Sequence, residues 1–364
     1  MNRYKLKSII RTTAITLLTV IAVCSFLITF ASGKNIPSWE QIYTYFGVST
    51  DTSEGDDYVR FLDVGQGDSI LIHSNGRSAL IDAATLSYGD IICDKLRSVG
   101  IKNLDMMMLS HNHDDHYGGA ERIVERMLID NLIMPDLNGS VSPTSTITEI
   151  RNNVLADDGE SFVAKPGMNV NIGDFTVTVL AHYTDDDDEN NRSIFAMAEI
   201  DGVRFLFTGD GETSAEKRLI SEGLDLDCDV LKVGHHGAKT SSSQKFLDVV
   251  KPEYAVISAG AGNQYSHPHE ATLSRLDEAN IEFYRTDISG NISIKTNGTD
   301  LEIKENVSVQ SHKWVLNISS KRVHTDSCNG ATDMKEANKA YSVRSLSELQ
   351  KLGYTLCNTC KPKE

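Results

Sequence analysis

Leu109-Ser110-His111-Asn112-His113-Asp114-Asp115-His116-Tyr117-Gly118-Gly119 is the stretch on which the fold is read. Three histidines and two aspartates occupy positions 111–116. Residues 101–109 come first and end in the apolar run Met106-Met107-Met108-Leu109, which predicts a buried strand. Residues 120–128, after Gly118-Gly119, space their apolar side chains as a helix does. The loop therefore sits at a strand's carboxyl end. There, several short side chains can be aimed at one point, and imidazole with carboxylate suits zinc or a similar divalent ion.

Outward from the loop, strands dominate and helices come singly. Residues 58–63 and 68–73 read as a hairpin about Val64-Gly65-Gln66-Gly67, and Ser78-Ala79-Leu80-Ile81-Asp82 as a further strand. Helices are expected at 90–99, 145–155, 214–222, 243–250 and 270–279, and strands at 175–180, 194–200, 203–207, 230–233, 254–258 and about 302–304. That order predicts two sheets with helices outside them.

His111, His113, Asp115 and His116 are too many donors for one ion in a tight loop. Two neighbouring divalent ions, zinc or manganese, account for them better: one on His111 and His113, the other on Asp115 and His116. Asp210, in Phe207-Thr208-Gly209-Asp210 at a strand end, is the expected bridging ligand. His235 in Lys232-Val233-Gly234-His235-His236-Gly237 is a further candidate ligand. His267 in Tyr265-Ser266-His267-Pro268-His269 is a ligand or a proton donor to the leaving group, with His236 and His269 in support. Asp115 and His267 are the candidate catalytic residues.

His-x-His-x-Asp-His after an apolar strand resembles the metallo-β-lactamase superfamily, and the chain is similar to the hydrolase domain of the ComEC-type competence proteins, which import DNA. The matching pieces are Phe61 to Ser69, Leu80-Ile81-Asp82, Ser110 to Gly119, Asn190-Asn191-Arg192-Ser193-Ile194, Phe207 to Asp210, Leu231 to Ser243 and Ile257 to Leu276. The resemblance implies an α/β fold, an αββα sandwich with its metal centre along one edge. It also implies a third imidazole between the loop and Asp210. His182 is the only histidine in that interval, and Ala83-Ala84 stand where the family often has glycine. The family's multi-helix membrane channel has no counterpart here.

His324, Cys328, Cys357 and Cys360 form His-x3-Cys and Cys-x2-Cys, four ligands suited to a closed structural zinc; the alternative is a disulfide from Cys328 to Cys357 or Cys360. The segment from Trp314 to Pro362 resembles the Ada-type metal-binding module, and residues 345–350 read as a helix with a capping box at Ser345 and Glu348. Cys93 and Cys228 are isolated and read as small buried residues, with a bridge between them as the alternative.

The N-terminus is basic through Arg3, Lys5, Lys7 and Arg11, and residues 12–31 carry no charge, enough to span a bilayer. Basic residues before the span predict a cytoplasmic N-terminus and an extracellular remainder, anchored in the cell membrane by a single pass, or secreted if the segment is cleaved. The expected organisation is an anchor at 1–32, a linker at 33–57, a hydrolase domain at 58–306 and a zinc module at 313–364. Residues 1–31 and 313–364 each carry +4, so the net charge of −16 leaves −24 in the middle of the chain, and an acidic body does not by itself attract nucleic acid.

Together these features predict an exported metal-dependent hydrolase in which a metal-bound hydroxide attacks a phosphodiester, extracellular DNA being the first substrate by resemblance. The alternatives are a small-molecule ester, lactone or phosphodiester hydrolase, and a non-catalytic surface protein with structural metals.

Overall fold

Eight strands of the first sheet and seven of the second account for the alternating patterns above. The computed structural model describes residues 57–364, apart from 141, 297–299, 307–313, 318, 326–327, 335–337, 343–345, 352 and 364. The expected membrane span, the linker up to residue 56 and the capping residue Ser345 lie outside the described residues. Among those described, no helix is long and apolar enough to cross a membrane.

The strands in chain order are β1 (Tyr58–Phe61), β2 (Ile70–Ser74), β3 (Arg77–Ile81), β4 (Met106–Met108), β5 (Asn131–Met134), β6 (Glu160–Val163), β7 (Asn169–Ile172), β8 (Phe175–His182), β9 (Ile194–Ile200), β10 (Val203–Phe207), β11 (Val230–Lys232), β12 (Tyr254–Ile257), β13 (Glu282–Arg285), β14 (Asn291–Thr296) and β15 (Leu301–Asn306). The first sheet runs β15-β14-β1-β2-β3-β4-β5-β6 and the second β13-β12-β11-β10-β9-β8-β7. β3 to β6 are parallel, as are β10 to β13, and the remaining pairs are antiparallel.

Period-two alternation sends Val59, Phe61, Ile70, Ile72 and Met106 from one sheet against Phe175, Val177, Ala196, Phe205 and Val256 from the other, forming the central core. Each such large apolar side chain contributes about 1.5–3 kcal/mol by leaving water. Behind the second sheet, Leu206, Leu231 and Ile257 meet Leu219, Phe246, Leu247, Leu273 and Leu276 of the helices Thr213–Ser221, Gln244–Val250 and Glu270–Glu278. On the first sheet Leu71, Leu80 and Met107 point away from the central core and are buried too, so that face also carries a covering layer; the helices Leu86–Ser98 and Ser145–Ala156 bury Ile92, Leu96, Ile147 and Ile150. This is the expected αββα sandwich.

A third sheet, β18-β16-β17-β19, is built from β16 (Trp314–Asn317), β17 (Arg322–His324), β18 (Lys339–Ser342) and β19 (Thr355–Leu356). It shares one compact unit with residues 57–96 and 101–306. Cys93 and Cys228 are buried and both free.

The sandwich places its chemistry by strand ends. β4 ends just before Leu109, β10 before Thr208, β11 before Val233 and β12 before Ser258. The carboxyl ends of parallel strands open onto one crevice, and the loops carrying His116, Asp210, His236 and His267 all start there.

Candidate metal centre

Asp115, His116, Asp210 and His236 each offer a ligand atom, all within 4.8 Å of one another. His116 Nε2 lies 3.2 Å from Asp210 Oδ2, and His236 Nε2 lies 3.4 Å from the same oxygen and 3.3 Å from Asp115 Oδ2. Asp210 Oδ2 is therefore the atom that both imidazoles share.

The far side of each imidazole is fixed. His116 Nδ1 is 2.8 Å from Asp82 Oδ2, and Asp82 also accepts from the Ser110 amide and hydroxyl, both at 2.7 Å. His236 Nδ1 donates to the Ser258 carbonyl at 3.0 Å and lies 3.4 Å from Asp68 Oδ1. Such partners hold the ring orientation and the tautomer that leaves Nε2 for the centre. Lys232 Nζ, wholly buried, lies 2.7 Å from Asp68 Oδ2.

The backbone is bent to reach this arrangement. His235 and His236 adopt φ of 47° and 53° in the turn Gly234–Gly237, and Asp82 and Ala84 adopt 59° and 57°. These are left-handed conformations that cost side-chain-bearing residues about 1–2 kcal/mol each. Ala84 thus holds a glycine-like conformation without glycine. Gly119 is required for a different reason: a Cβ there would stand 2.0 Å from the Ala83 carbonyl.

The electrostatics of the centre follow from its crowded imidazoles and carboxylates. Burial pulls the His116 and His236 imidazoles down, but Asp210, with Asp82 for the first and Asp68 for the second, outweighs it and holds both well above the ordinary histidine value. Burial would raise Asp210, yet these two imidazoles hold it well below the usual carboxylate range. His116 Nε2, His236 Nε2 and Asp210 Oδ1 are also buried without a hydrogen-bond partner. Orphaned polar atoms of this kind are costly unless something coordinates them. Imidazole nitrogens and carboxylate oxygens converging in this way fit a divalent metal ion.

The other expected residues fall as follows. His111 is buried, its Nε2 3.0 Å from His113 Nδ1 and its ring 4.2 Å from that of His116, so the pair adjoins the four-residue group without joining it. Burial, then His116, pushes the His111 imidazole well below its ordinary value. His235, expected as the ligand, is the less engaged of its pair: Nδ1 binds Glu212 Oε1 at 2.9 Å and Nε2 stays 3.8 Å from Asp210. His236, expected only in support, is the one that joins the group. The left-handed turn explains the exchange, because it points the two neighbouring rings in different directions. His267 is buried, its ring 5.3 Å from that of His235 and 6.2 Å from that of His236; burial, then His236, pulls it down to about 3. His269 Nδ1 accepts from the Lys239 amide.

His182 is not aimed at the centre. Its Nε2 accepts from the Asp136 amide at 2.7 Å and its Nδ1 donates to the Arg192 carbonyl at 2.6 Å. Asp68 and Asp82 support the centre although the sequence singles out neither; Asp82 directly follows the apolar strand β3, which is a readable signal, whereas Asp68 lies in the loop before β2.

The Metallo-beta-lactamase superfamily profile matches residues 62–261. This chain belongs to the metallo-β-lactamase superfamily. It is 33% identical over 267 residues to ComE operon protein 3 of Bacillus subtilis (strain 168), covering 67% of this chain and 33% of that protein. Competence protein ComA of Neisseria gonorrhoeae is 31% identical over 284 residues, 75% of this chain and 38% of that one. Recombination protein 2 of Haemophilus influenzae is 30% identical over 252 residues, 67% of this chain and 29% of that one. The superfamily member described here is thus related to ComEC-type competence proteins and spans about a third of the length of these relatives.

A second donor cluster lies in the C-terminal sheet. His324, Cys328, Cys357 and Cys360 have ligand atoms within 4.8 Å of one another. His324 Nδ1 is 3.3 Å from Cys328 Sγ, and the Cys328 and Cys357 sulfurs are 4.0 Å apart, with all three cysteines free. Metal–sulfur bonds of about 2.3 Å in a tetrahedron give sulfur separations of about 3.8 Å, so the four donors fit a structural zinc and not a disulfide. Burial would raise the Cys357 thiol, but the Cys360 and Thr359 amides lower it to about 7, toward the thiolate that a metal takes.

Proposed function

We propose that the chain is a metal-dependent phosphodiesterase acting on DNA outside the cell, tethered to the membrane by residues 12–31. The observation that carries the hydrolase reading is the set of orphaned buried donors, His116 Nε2, His236 Nε2 and Asp210 Oδ1, around one shared point. Kinship with competence proteins supports DNA as the substrate.

Divalent ions held by Asp115, His116, Asp210 and His236, with a second position beside His111 and His113, would supply Lewis acidity and activate water for attack. The chain's own residues do the rest. Asp82 and Asp68 hold the His116 and His236 rings in place through Nδ1. Asp210, kept ionised, faces both imidazoles at once. His235 is the group to pass a proton to the leaving oxygen: it is partly exposed beside the centre, and Glu212 holds its Nδ1 so that Nε2 is free to act. His267 stays neutral at the mouth of the centre and offers an uncharged donor or acceptor there.

The purified full chain with manganese or zinc should degrade single- or double-stranded DNA. Intact DNA with turnover of bis-p-nitrophenyl phosphate or a lactone would instead assign a small-molecule ester hydrolase, and no turnover with full metal occupancy would assign a binding protein. The four donors at the C-terminus are proposed to hold one structural zinc.

A further inference from the structure

The C-terminal sheet packs against the loop that carries His267. Ala261 of that loop packs among Trp314, Leu316, Val323 and Tyr354 of the C-terminal sheet region. Gly262, at φ +66°, approaches Tyr354 so closely that a Cβ would lie 2.5 Å from its hydroxyl. Lys321 Nζ donates to the Asn263 carbonyl at 3.3 Å and stands 5.0 Å from the centroid of the Tyr354 ring. Asn263 in turn grips the main chain of His267 from both sides: its side-chain amide donates to the His267 carbonyl at 2.6 Å and its oxygen accepts from the His267 amide at 3.0 Å.

Between these elements is a cleft of about 290 Å³, lined on one side by Asn263, His267 and His269 and on the other by Ser319 and Lys321. His267 lines the cleft and its ring lies 6.2 Å from that of His236, so the cleft adjoins the metal centre. His267 is only 7% exposed and its Nδ1 is buried without a hydrogen-bond partner. Lys321 has a carbonyl and an aromatic face as its partners among the described residues, and neither neutralises an ammonium. The cleft's carboxylate, Glu270, is exposed to water, which screens it. A partly desolvated ammonium whose partners among the described residues include no carboxylate, beside the proposed hydrolytic centre, favours an anion, and a lysine binds phosphate as a point charge.

We propose that Lys321, from the C-terminal module, is a substrate-binding residue of the hydrolase, taking the phosphate next to the scissile one in an oligonucleotide that lies along the cleft. This rests on the phosphodiesterase reading above. It gives the module a part in substrate choice.

The full chain and its Lys321→Met and Lys321→Arg variants are to be compared in two measurements. The first is the affinity for fluorescein-labelled octathymidylate by anisotropy without added metal. The second is KM and kcat in manganese for octathymidylate and for bis-p-nitrophenyl phosphate, which has no neighbouring phosphate. Lys321→Met should weaken binding about tenfold, one charge-assisted contact, and raise KM for the oligonucleotide about tenfold more than for the small ester. Lys321→Arg should keep affinity within about threefold, and thermal midpoints for both variants separate loss of the contact from unfolding. Unchanged binding in Lys321→Met overturns the proposal, as does an equal fall of kcat on both substrates with affinity intact, which would make Lys321 a brace for the loop only. If the wild type hydrolyses neither substrate yet binds the oligonucleotide through Lys321, the subsite stands and the phosphodiesterase reading fails.

Discussion

Lys232 Nζ and Asp68 Oδ2 lie 2.7 Å apart with both side chains almost wholly out of water. The same carboxylate faces His236 at 3.4 Å and His116 at 3.8 Å, so one buried ion pair supports the two imidazoles that meet at Asp210. Burial would raise the Asp68 carboxyl, but Lys232, with His236 next, lowers it to about 2.

Removing Lys232 takes from the buried Asp68 carboxylate its nearest counter-charge. Lys232→Met is therefore expected to destabilise the fold by about 3–5 kcal/mol, and Asp68→Leu with Lys232→Met to recover part of that loss. Urea unfolding of the two variants measures this, and a double variant no more stable than the single one would count against the coupling.

The adjacent histidines should separate by what they lose. His236→Gln is expected to lower bound metal in the hydrolase centre, since its Nε2 faces Asp115 and Asp210. His235→Gln should keep the metal and lower kcat about 100-fold, the scale of one general acid–base group. Metal analysis alongside kinetics checks both, and equal metal loss in the two variants would return His235 to the ligand set.

His182→Ala should cost about 1–3 kcal/mol, because the Asp136 amide and the Arg192 carbonyl lose their partners. Metal content should not change. A drop in metal stoichiometry would show that this ring reaches the centre after all.

Cys360→Ser is expected to remove one zinc per chain and to lower the unfolding midpoint of the C-terminal region, whose small core of Trp314, Leu316, Val323 and Tyr354 gains stability from the metal. Metal analysis with differential scanning calorimetry reads both effects. Unchanged zinc content would remove Cys360 from the site.

The loop at 109–119 was legible because density of donors is a local signal, and Asp210 because an acid at the end of an apolar strand is one too. The alternation in β1, β2, β8 and β10 likewise announced two packed sheets. The choice between His235 and His236 was not legible, since it depends on two consecutive left-handed residues, φ 47° and 53°, which no spacing rule encodes. Nor could the pairing of Asp68 with Lys232 be read, as it joins strand ends 164 positions apart. The docking of Ala261 and Gly262 on Tyr354 is hidden for the same reason: a small residue in a loop says nothing of what covers it.

Asp210 faces His116 and His236 at once, and the proposed hydrolytic centre turns on it. Hydrolysis of bis-p-nitrophenyl phosphate and of DNA by the full chain and by Asp210→Asn, with metal per chain determined in the same samples, tests it most directly. Turnover and hydrolase-site metal are expected in the wild type, and loss of that metal with at least about a 100-fold fall in rate in Asp210→Asn, the C-terminal zinc remaining. An Asp210→Asn protein that keeps both the metal and the rate would contradict it.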